Sequence, residues 1–409
     1  MPQIRLQRAR DFCYRQRHVL RQCNFNARGD VVDPDALTVN PARITQRAAV
    51  ALEAKAATLA ALRVTIGLDG FVDEIVNVVD KRESIEKFAP FDTLASFGER
   101  IKNAAGKSTN AELVVQRVKL GGNGPIMANA LAVFGAKVSY IGNLGYPALH
   151  PAFEEFSERA TIYSVAEPAH TDALEFHDGK LLLGKPAPLN DVTWENLLAR
   201  VGRDRLHDLF ADADLIGLQN WTMIPHMSDI WQHVLDEFCP RLPAGQKRTF
   251  FFDLADPERR DPRDIKRALG LIGKFQEYFE TYLGLNEKES FEIGEALGYA
   301  GLHDGEAAVK SVAKFIHDRM DISGVVVHPR AYAVAASAQG VVKVDGPFVS
   351  KPLISTGAGD HFNAGFCLGK LIGADNEVAL QLGVGSSGFY VRSAKSPTAD
   401  ELAGFLRSL

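Results

Sequence analysis

The chain has 409 residues, 46% apolar and 24% charged, enough for a large buried core and ordinary for a globular protein. Lys and Arg number 46 against 51 Asp and Glu, a formal charge of −5, so nothing in the balance points to nucleic acid as a partner. No apolar run approaches the roughly 20 residues of a spanning helix, so no membrane association is expected. Cys13, Cys23, Cys239 and Cys367 make neither a CxxC pair nor a disulfide framework, which reads as reduced thiols in a cytoplasmic compartment.

Residues 1–30 carry Arg5, Arg8, Arg10, Arg15, Arg17, Arg21 and Arg28 against Asp11 and Asp30. They have neither the apolar region of a secretory signal nor the Ser content of an organellar presequence, so a basic surface helix or an oligomer contact is expected. After loops marked by Asp33-Pro34 and Asn40-Pro41, the Ala- and Leu-rich residues 43–62 predict a second helix. Residues 1–62 thus read as a helical extension without recognisable chemistry.

From residue 63 onward, short apolar runs alternate with helical stretches. Predicted strands are Val64–Leu68, Val138–Gly142, Leu215–Leu218, Phe250–Leu254, Tyr282–Leu285, Val325–Val327 and Val341–Val344. Continuous apolar runs of this kind suit strands covered on both faces. Helices are expected over Ile126–Phe134, Asp229–Phe238, Ile265–Phe279, Glu306–Asp318 and His361–Leu371. Such alternation predicts an α/β fold, a doubly wound, mostly parallel sheet with flanking helices and its site at the carboxyl ends of the strands. Residues 72–80, 112–120 and 161–183 fit a smaller β-lid instead. In the last of them, Asp178-Gly179 between β-forming runs is a hairpin signal. One main domain, 63–409, with the lid built into it is expected.

Two glycine motifs lead nowhere by themselves. Gly106-Lys107-Ser108-Thr109 copies the tail of a P-loop, but Ile101 stands where the first Gly is needed, and Phe91–Ala105 reads as a helix that Gly106 ends. Gly383-Val384-Gly385-Ser386-Ser387-Gly388 fits G-x-G-x-x-G, yet it follows a helical stretch, where small residues permit close helix packing.

The segment Ile354 to Phe366, ISTGAGDHFNAGF, carries more. Small residues let backbone N–H groups converge just before a helix, an arrangement that binds anions and the charge on a transferring phosphoryl group. Asp360 is suited there to accept a proton from an attacking hydroxyl, or else simply to cap the helix. Near the front, Gly121-Gly122-Asn123 lets a polyol approach the backbone. Asp73, just beyond the first strand, suits paired sugar hydroxyls. Asn286 and Glu289 share one helical face after a strand and offer oxygen ligands for Mg²⁺ through water.

The order of these pieces resembles the ribokinase-like, or PfkB, family of carbohydrate kinases over roughly residues 64–405. The Gly-Ala-Gly-Asp segment is similar to the family's C-terminal signature, Gly121-Gly122 with Phe134-Gly135-Ala136 to its N-terminal one, and Asn286-x-x-Glu289 to its magnesium and phosphate motif. Phe252-Asp253, Asp256-Pro257 and Arg260 resemble the segment that often precedes that motif. The resemblance implies a ribokinase-like fold and transfer of the ATP γ-phosphoryl group to a sugar hydroxyl. Asp360 would be the base and Gly357, Ala358 and Gly359 the anion hole. Asp73, Gly122 and Asn123 would bind the acceptor under the lid, with Asn286 and Glu289 at the metal. His328, Arg330 and Gly385 would lie beside the nucleotide. Three departures mark this chain: Ile126 where the family has Asn, Ile354-Ser355 where the signature begins Asp-Thr, and His328-Pro329-Arg330 in place of Thr-x-Gly. An ADP-dependent sugar kinase, a nucleoside kinase and a catalytically silent sugar- or nucleotide-binding protein are the alternatives, and a homodimer is left open.

Overall fold

The computed structural model describes residues 24–25, 31–32, 41–243 and 248–409. Residues Met1–Arg43 and Ile44–Leu409 form separate compact units. Within the first, strands β1 (Asn24–Phe25) and β2 (Val31–Val32) pair antiparallel. The basic helix expected over residues 1–30 otherwise lies outside the described residues, as do Cys13 and Cys23.

The second unit is built on a nine-stranded sheet. Its strands are β3 (Arg63–Leu68), β7 (Lys137–Gly142), β8 (Ala160–Ser164), β11 (Leu215–Gln219), β12 (Arg248–Asp253), β13 (Phe279–Leu285), β14 (Gly324–Val327), β15 (Tyr332–Ser337) and β16 (Gly340–Asp345). Their order is β16-β15-β14-β13-β12-β11-β3-β7-β8, all running in one direction except β15, which pairs antiparallel with β14 and with the edge strand β16. The central strands are covered on both faces, one by a core around Trp231, Phe250 and Phe275 and the other by a core around Tyr140, Phe251 and Phe366. This coverage is why β11 and β14 are buried at every residue.

Chain order fixes where a site can form. From β3 the chain moves outward to β7 and β8, then returns to the other side of β3 at β11 and moves outward again. The crevice beyond the carboxyl ends of β3 and β11 is therefore the point where the winding reverses, the usual ligand position in such sheets. The lid stands over it. Its strands are β4 (Phe71–Arg82), β5 (Phe88–Pro90), β6 (Glu112–Gly121), β9 (Ala169–Phe176) and β10 (Gly179–Lys185). Central strand β4 pairs antiparallel with β6 and parallel with β9, and both pairings start at Phe71, opposite Gly121 and Ala169. One lid face packs Val76, Val78 and Leu174 against Phe97 of the helix Leu94–Asn103. By the two-residue period of strands, the other face turns Asp73, Thr171 and Lys180 toward the crevice.

Several boundaries differ from expectation. Residues 160–164, placed with the lid by their sequence, form β8 and pair parallel with β7. Strand β15 has no β-branched run to announce it and exists through its pairing with β14 and β16. The helix expected to reach Phe279 stops at Phe275, and Phe279 opens β13; both rings are buried four residues apart, which imitates a continuing helix. The division expected at residue 62 is absent, because Ile44, Leu52 and Leu59 lie in the same core as Val64 and Leu131. Among the described residues no helix is long and apolar enough to cross a membrane.

Candidate active site

Asp69, at the end of β3, is the hub of the crevice, and its sequence context gave it no assigned part. Fully buried, its carboxylate accepts hydrogen bonds from the N–H of Asn123 (3.0 Å), the N–H of Gly124 (2.8 Å) and Asn220 Nδ2 (2.9 Å). Burial pushes its pKa up to about 6. The carboxylate caps the helix Asn123–Val133 in place of a local side chain, so the helix starts three residues before the expected Ile126. Gly122, at φ 94°, is the N-cap, and a Cβ there would stand 2.8 Å from Asp69 Oδ2. Both the backbone angle and the space call for glycine at this position.

This cap aims Asn123 at Asp360. Asn123 Nδ2 donates to Asp360 Oδ1 at 3.0 Å, joining two residues 237 positions apart. Asp360 is the third residue of the helix Ala358–Leu371 and is buried. Burial raises its pKa well above the usual carboxylate range, and neighbouring Asp253 adds to the effect. Of the expected anion hole, the Ala358 N–H is turned to Ser355 O (3.2 Å), whereas the N–H groups of Gly359 and Asp360 have no backbone acceptor among the described residues. Free N–H groups in a first helical turn attract negative charge.

The loop before that helix is held from behind. Tyr390 donates its hydroxyl proton to Thr356 O (2.9 Å), and His361 stacks on the Tyr390 ring at 3.7 Å between centroids. Burial lowers the His361 pKa to about 4, so the ring is neutral. Its Nδ1–H donates to Gly357 O (2.7 Å), and Nε2 accepts from Ser396 Oγ (2.8 Å). Gly357, at φ 90°, has Ile126 beside it, 3.3 Å from where a Cβ would lie. The departure at Ile126 therefore buttresses the glycine loop and also lines the acceptor side of the crevice.

The loop is a wall between two cavities. One, of about 250 Å³, is lined by Asp73, Gly122, Asn123, Thr356, Gly357 and Asp360 among others. The second, of about 380 Å³, is lined by His328, Arg330, Phe348, Ser355, Ala358 and Gly359 among others. All three acceptor-binding candidates thus share the first cavity with the base candidate. Asp73 is buried there, with Lys119 Nζ 3.9 Å away, and burial raises its pKa. Asn220, missed by the sequence reading, joins them. Its Nδ2 must face the Asp69 carboxylate, which leaves Oδ1 buried beside the cavity with no partner among the described residues. Its one signal in the sequence is an Asn just after an apolar strand, a residue type that tolerates the φ of 61° found here. Arg260 secures the chain just beyond through Trp221 O (3.2 Å) and Ile224 O (2.9 Å).

In the second cavity, the His328 ring lies 4.7 Å from that of Phe362, and burial lowers its pKa to about 4. Gly385 does not line it. A Cβ there would meet Leu406 at 2.8 Å and Leu402 at 3.2 Å, so Gly385 serves helix packing while Ser387 and Gly388 face the cavity.

Asn286 and Glu289 form a reciprocal capping box. Glu289 N–H donates to Asn286 Oδ1 (2.9 Å), and Glu289 Oε2 accepts from the Asn286 N–H (2.8 Å). Glu289 Oε1 also accepts from the Asp256 N–H (2.9 Å), so the pair presents no bare chelate. Among the described residues no three His, Cys, Asp or Glu side chains are grouped as direct metal ligands. The carboxylates still crowd one another: Asp253 is pushed upward by burial and then by Glu289.

Comparison with known proteins identifies the family. The family model of prokaryotic ketohexokinases matches residues 42–408. A ketohexokinase of Haloferax volcanii is 29% identical over 345 residues, covering 84% of this chain and 90% of that protein. The structure of Arabidopsis thaliana ribokinase complexed with ribose and ATP has a TM-score of 0.58 at 13% identity, covering 84% of this chain and 98% of its own. Phosphofructokinase-2 of Escherichia coli gives 0.57 at 13% identity, with coverage of 85% and 99%. At such identities the two structures establish the ribokinase-like fold alone.

Proposed function

Since this chain belongs to the prokaryotic ketohexokinase family and is a carbohydrate kinase, we propose that it moves the γ-phosphoryl group of ATP to a hydroxyl of a ketohexose, with Asp360 as the base. One observation carries the assignment: Asp360 stands at the wall between two cavities, in a helical turn with free N–H groups. The acceptor lies in the 250 Å³ cavity, gripped by Asp73, Asn123 and the unpartnered Asn220 Oδ1. The nucleotide lies in the 380 Å³ cavity, with its phosphates toward Gly359 and its base toward Phe348 and Tyr332.

The acceptor hydroxyl gives its proton to Asp360 as its oxygen bonds to the γ-phosphorus, and the bond to the bridging oxygen of the leaving nucleoside diphosphate breaks. The Gly359 and Asp360 amides meet the negative charge on the transferring group. Asn123 keeps the base pointed at the acceptor. Bound Mg²⁺ would supply positive charge to the phosphates; Asp253, Asn286 and Glu289 would hold it through water, and a dication would relieve the crowded carboxylates of Asp253 and Glu289. The lid excludes water, the competing acceptor.

The test is product formation from Mg·ATP or Mg·ADP with fructose, ribose, other sugars and nucleosides. Phosphorylation of a ketohexose in preference to the rest, with ATP as donor, is expected. Turnover confined to ADP or to nucleosides would overturn the donor or acceptor assignment, and ligand binding without turnover would leave a silent binding protein. Asp73→Ala is expected to raise the sugar KM about 10- to 100-fold, since a hydrogen bond to a charged group contributes roughly 1.5–3 kcal/mol. An unchanged sugar KM with weakened ATP binding would remove Asp73 from the acceptor site.

A further inference from the structure

The lid carries two lysines with contrasting surroundings on one strand, β10. Lys185 is exposed and paired with Asp172 at 2.8 Å. Lys180, just past the hairpin turn, is half-buried and has no carboxylate within salt-bridge distance among the described residues. Its Nζ instead donates to Ser355 Oγ (3.1 Å) and Thr356 Oγ1, the two residues before Gly357. Ser355 lines the second cavity and Thr356 the first, so the ammonium sits on the boundary that a phosphoryl group must cross.

We propose that Lys180 is a catalytic residue delivered by the lid, its ammonium contacting the phosphoryl group in transit between nucleotide and sugar. This rests on the kinase reading above. An ammonium held by two neutral hydroxyls loses hydration without gaining a counter-charge, and an anion arriving at the glycine loop would supply one. Burial lowers its pKa accordingly; Glu175 and then Asp73 oppose the shift from beyond salt-bridge distance, and Lys119 adds to it. The two hydroxyls are ligands that a phosphoryl oxygen can replace without strain in the loop, whose shape Tyr390 and His361 hold from the other side. No bond to Lys180 forms and the proton still passes to Asp360. Lys180 contributes charge that is present only while the lid is closed, so the nucleotide alone, under an open lid, lacks it. That coupling would favour transfer to sugar over transfer to water.

Lys180→Met, Lys180→Gln and Lys180→Arg are compared with wild type for kcat, sugar KM, ADP affinity by calorimetry and melting temperature. Met and Gln are expected to lower kcat about 10²–10³-fold at saturating sugar, the range for loss of one transition-state donor. ADP affinity and melting temperature are expected to stay near wild type, and Arg to recover part of kcat. The side chain reaches out from a lid strand, so folding should survive; the Gln variant keeps the comparison sound if Met proves unstable. A higher sugar KM at unchanged kcat would reduce Lys180 to a wall of the acceptor cavity and overturn the proposal, as would wild-type kinetics in both neutral variants. Absence of turnover in the wild-type protein would instead overturn the kinase reading itself, and this proposal with it.

Discussion

Asp360→Asn lowers kcat by about 10²–10⁴, the usual worth of general base catalysis, while sugar and nucleotide still bind. The substitution keeps the shape of the side chain and an oxygen for Asn123 Nδ2 but leaves no group able to take the hydroxyl proton. The wild-type pH profile has a matching sign. Only the ionised carboxylate is a base, so activity is present above its pKa and lost as pH falls through it. Burial, reinforced by Asp253, raises that pKa. The acid limb of kcat/KM is therefore expected above the value of about 4 usual for an exposed aspartate. A variant with near wild-type kcat, or an acid limb at the ordinary position, would take the role from Asp360.

Asp69→Ala is the largest stability effect expected. It strands the half-buried N–H of Asn123, the buried N–H of Gly124 and the buried Asn220 amide. Each unsatisfied donor costs about 1–3 kcal/mol, and shared relaxation brings the total to roughly 3–5 kcal/mol, as when one partner is removed from a buried charged pair. That is a large part of the 5–15 kcal/mol that typically separates folded from unfolded protein. The urea midpoint should fall at unchanged slope. Activity should fall as well, because the same bonds orient Asn123 toward Asp360 and hold Asn220 at the acceptor cavity. An unchanged midpoint would show that the helix start is held by something other than this carboxylate.

Much of the site is legible in the sequence because its parts are local. A glycine loop opening onto an acid, a diglycine before a helix and an acid after the first strand each announce themselves within a few residues. One bond, Asn123 to Asp360, joins the first two, and Asp73 lines the same cavity. What the sequence hides is built from distant residues. Tyr390 and Ser396 shape the loop from the far end of the chain, and neither belongs to a motif. Asp69 and Asn220 acquire their positions only when β3 and β11 lie side by side. Gly385 is the converse: its local pattern has the spacing of a phosphate loop, its helical context points to packing, and Leu402 and Leu406 fill its space, so only its expected place beside the nucleotide fails. Asn286 and Glu289 were found for their oxygens, and those oxygens also close a helix cap.

The lid strands β4, β6 and β9 all enter from the body on one row, at Phe71, Gly121 and Ala169. If the lid opens about this row, distance from it sets how far each residue swings. Asp73 stands two residues beyond it, about 7 Å along the strand at roughly 3.3 Å per residue. Lys180 pairs with Glu175, six residues beyond Ala169 and so about 20 Å out. Any opening about this row carries Asp73 only about a third as far as Lys180. The grip on the sugar sits near the axle and the ammonium at the rim, so an acceptor can be held through most of the swing while the charge arrives only at its end.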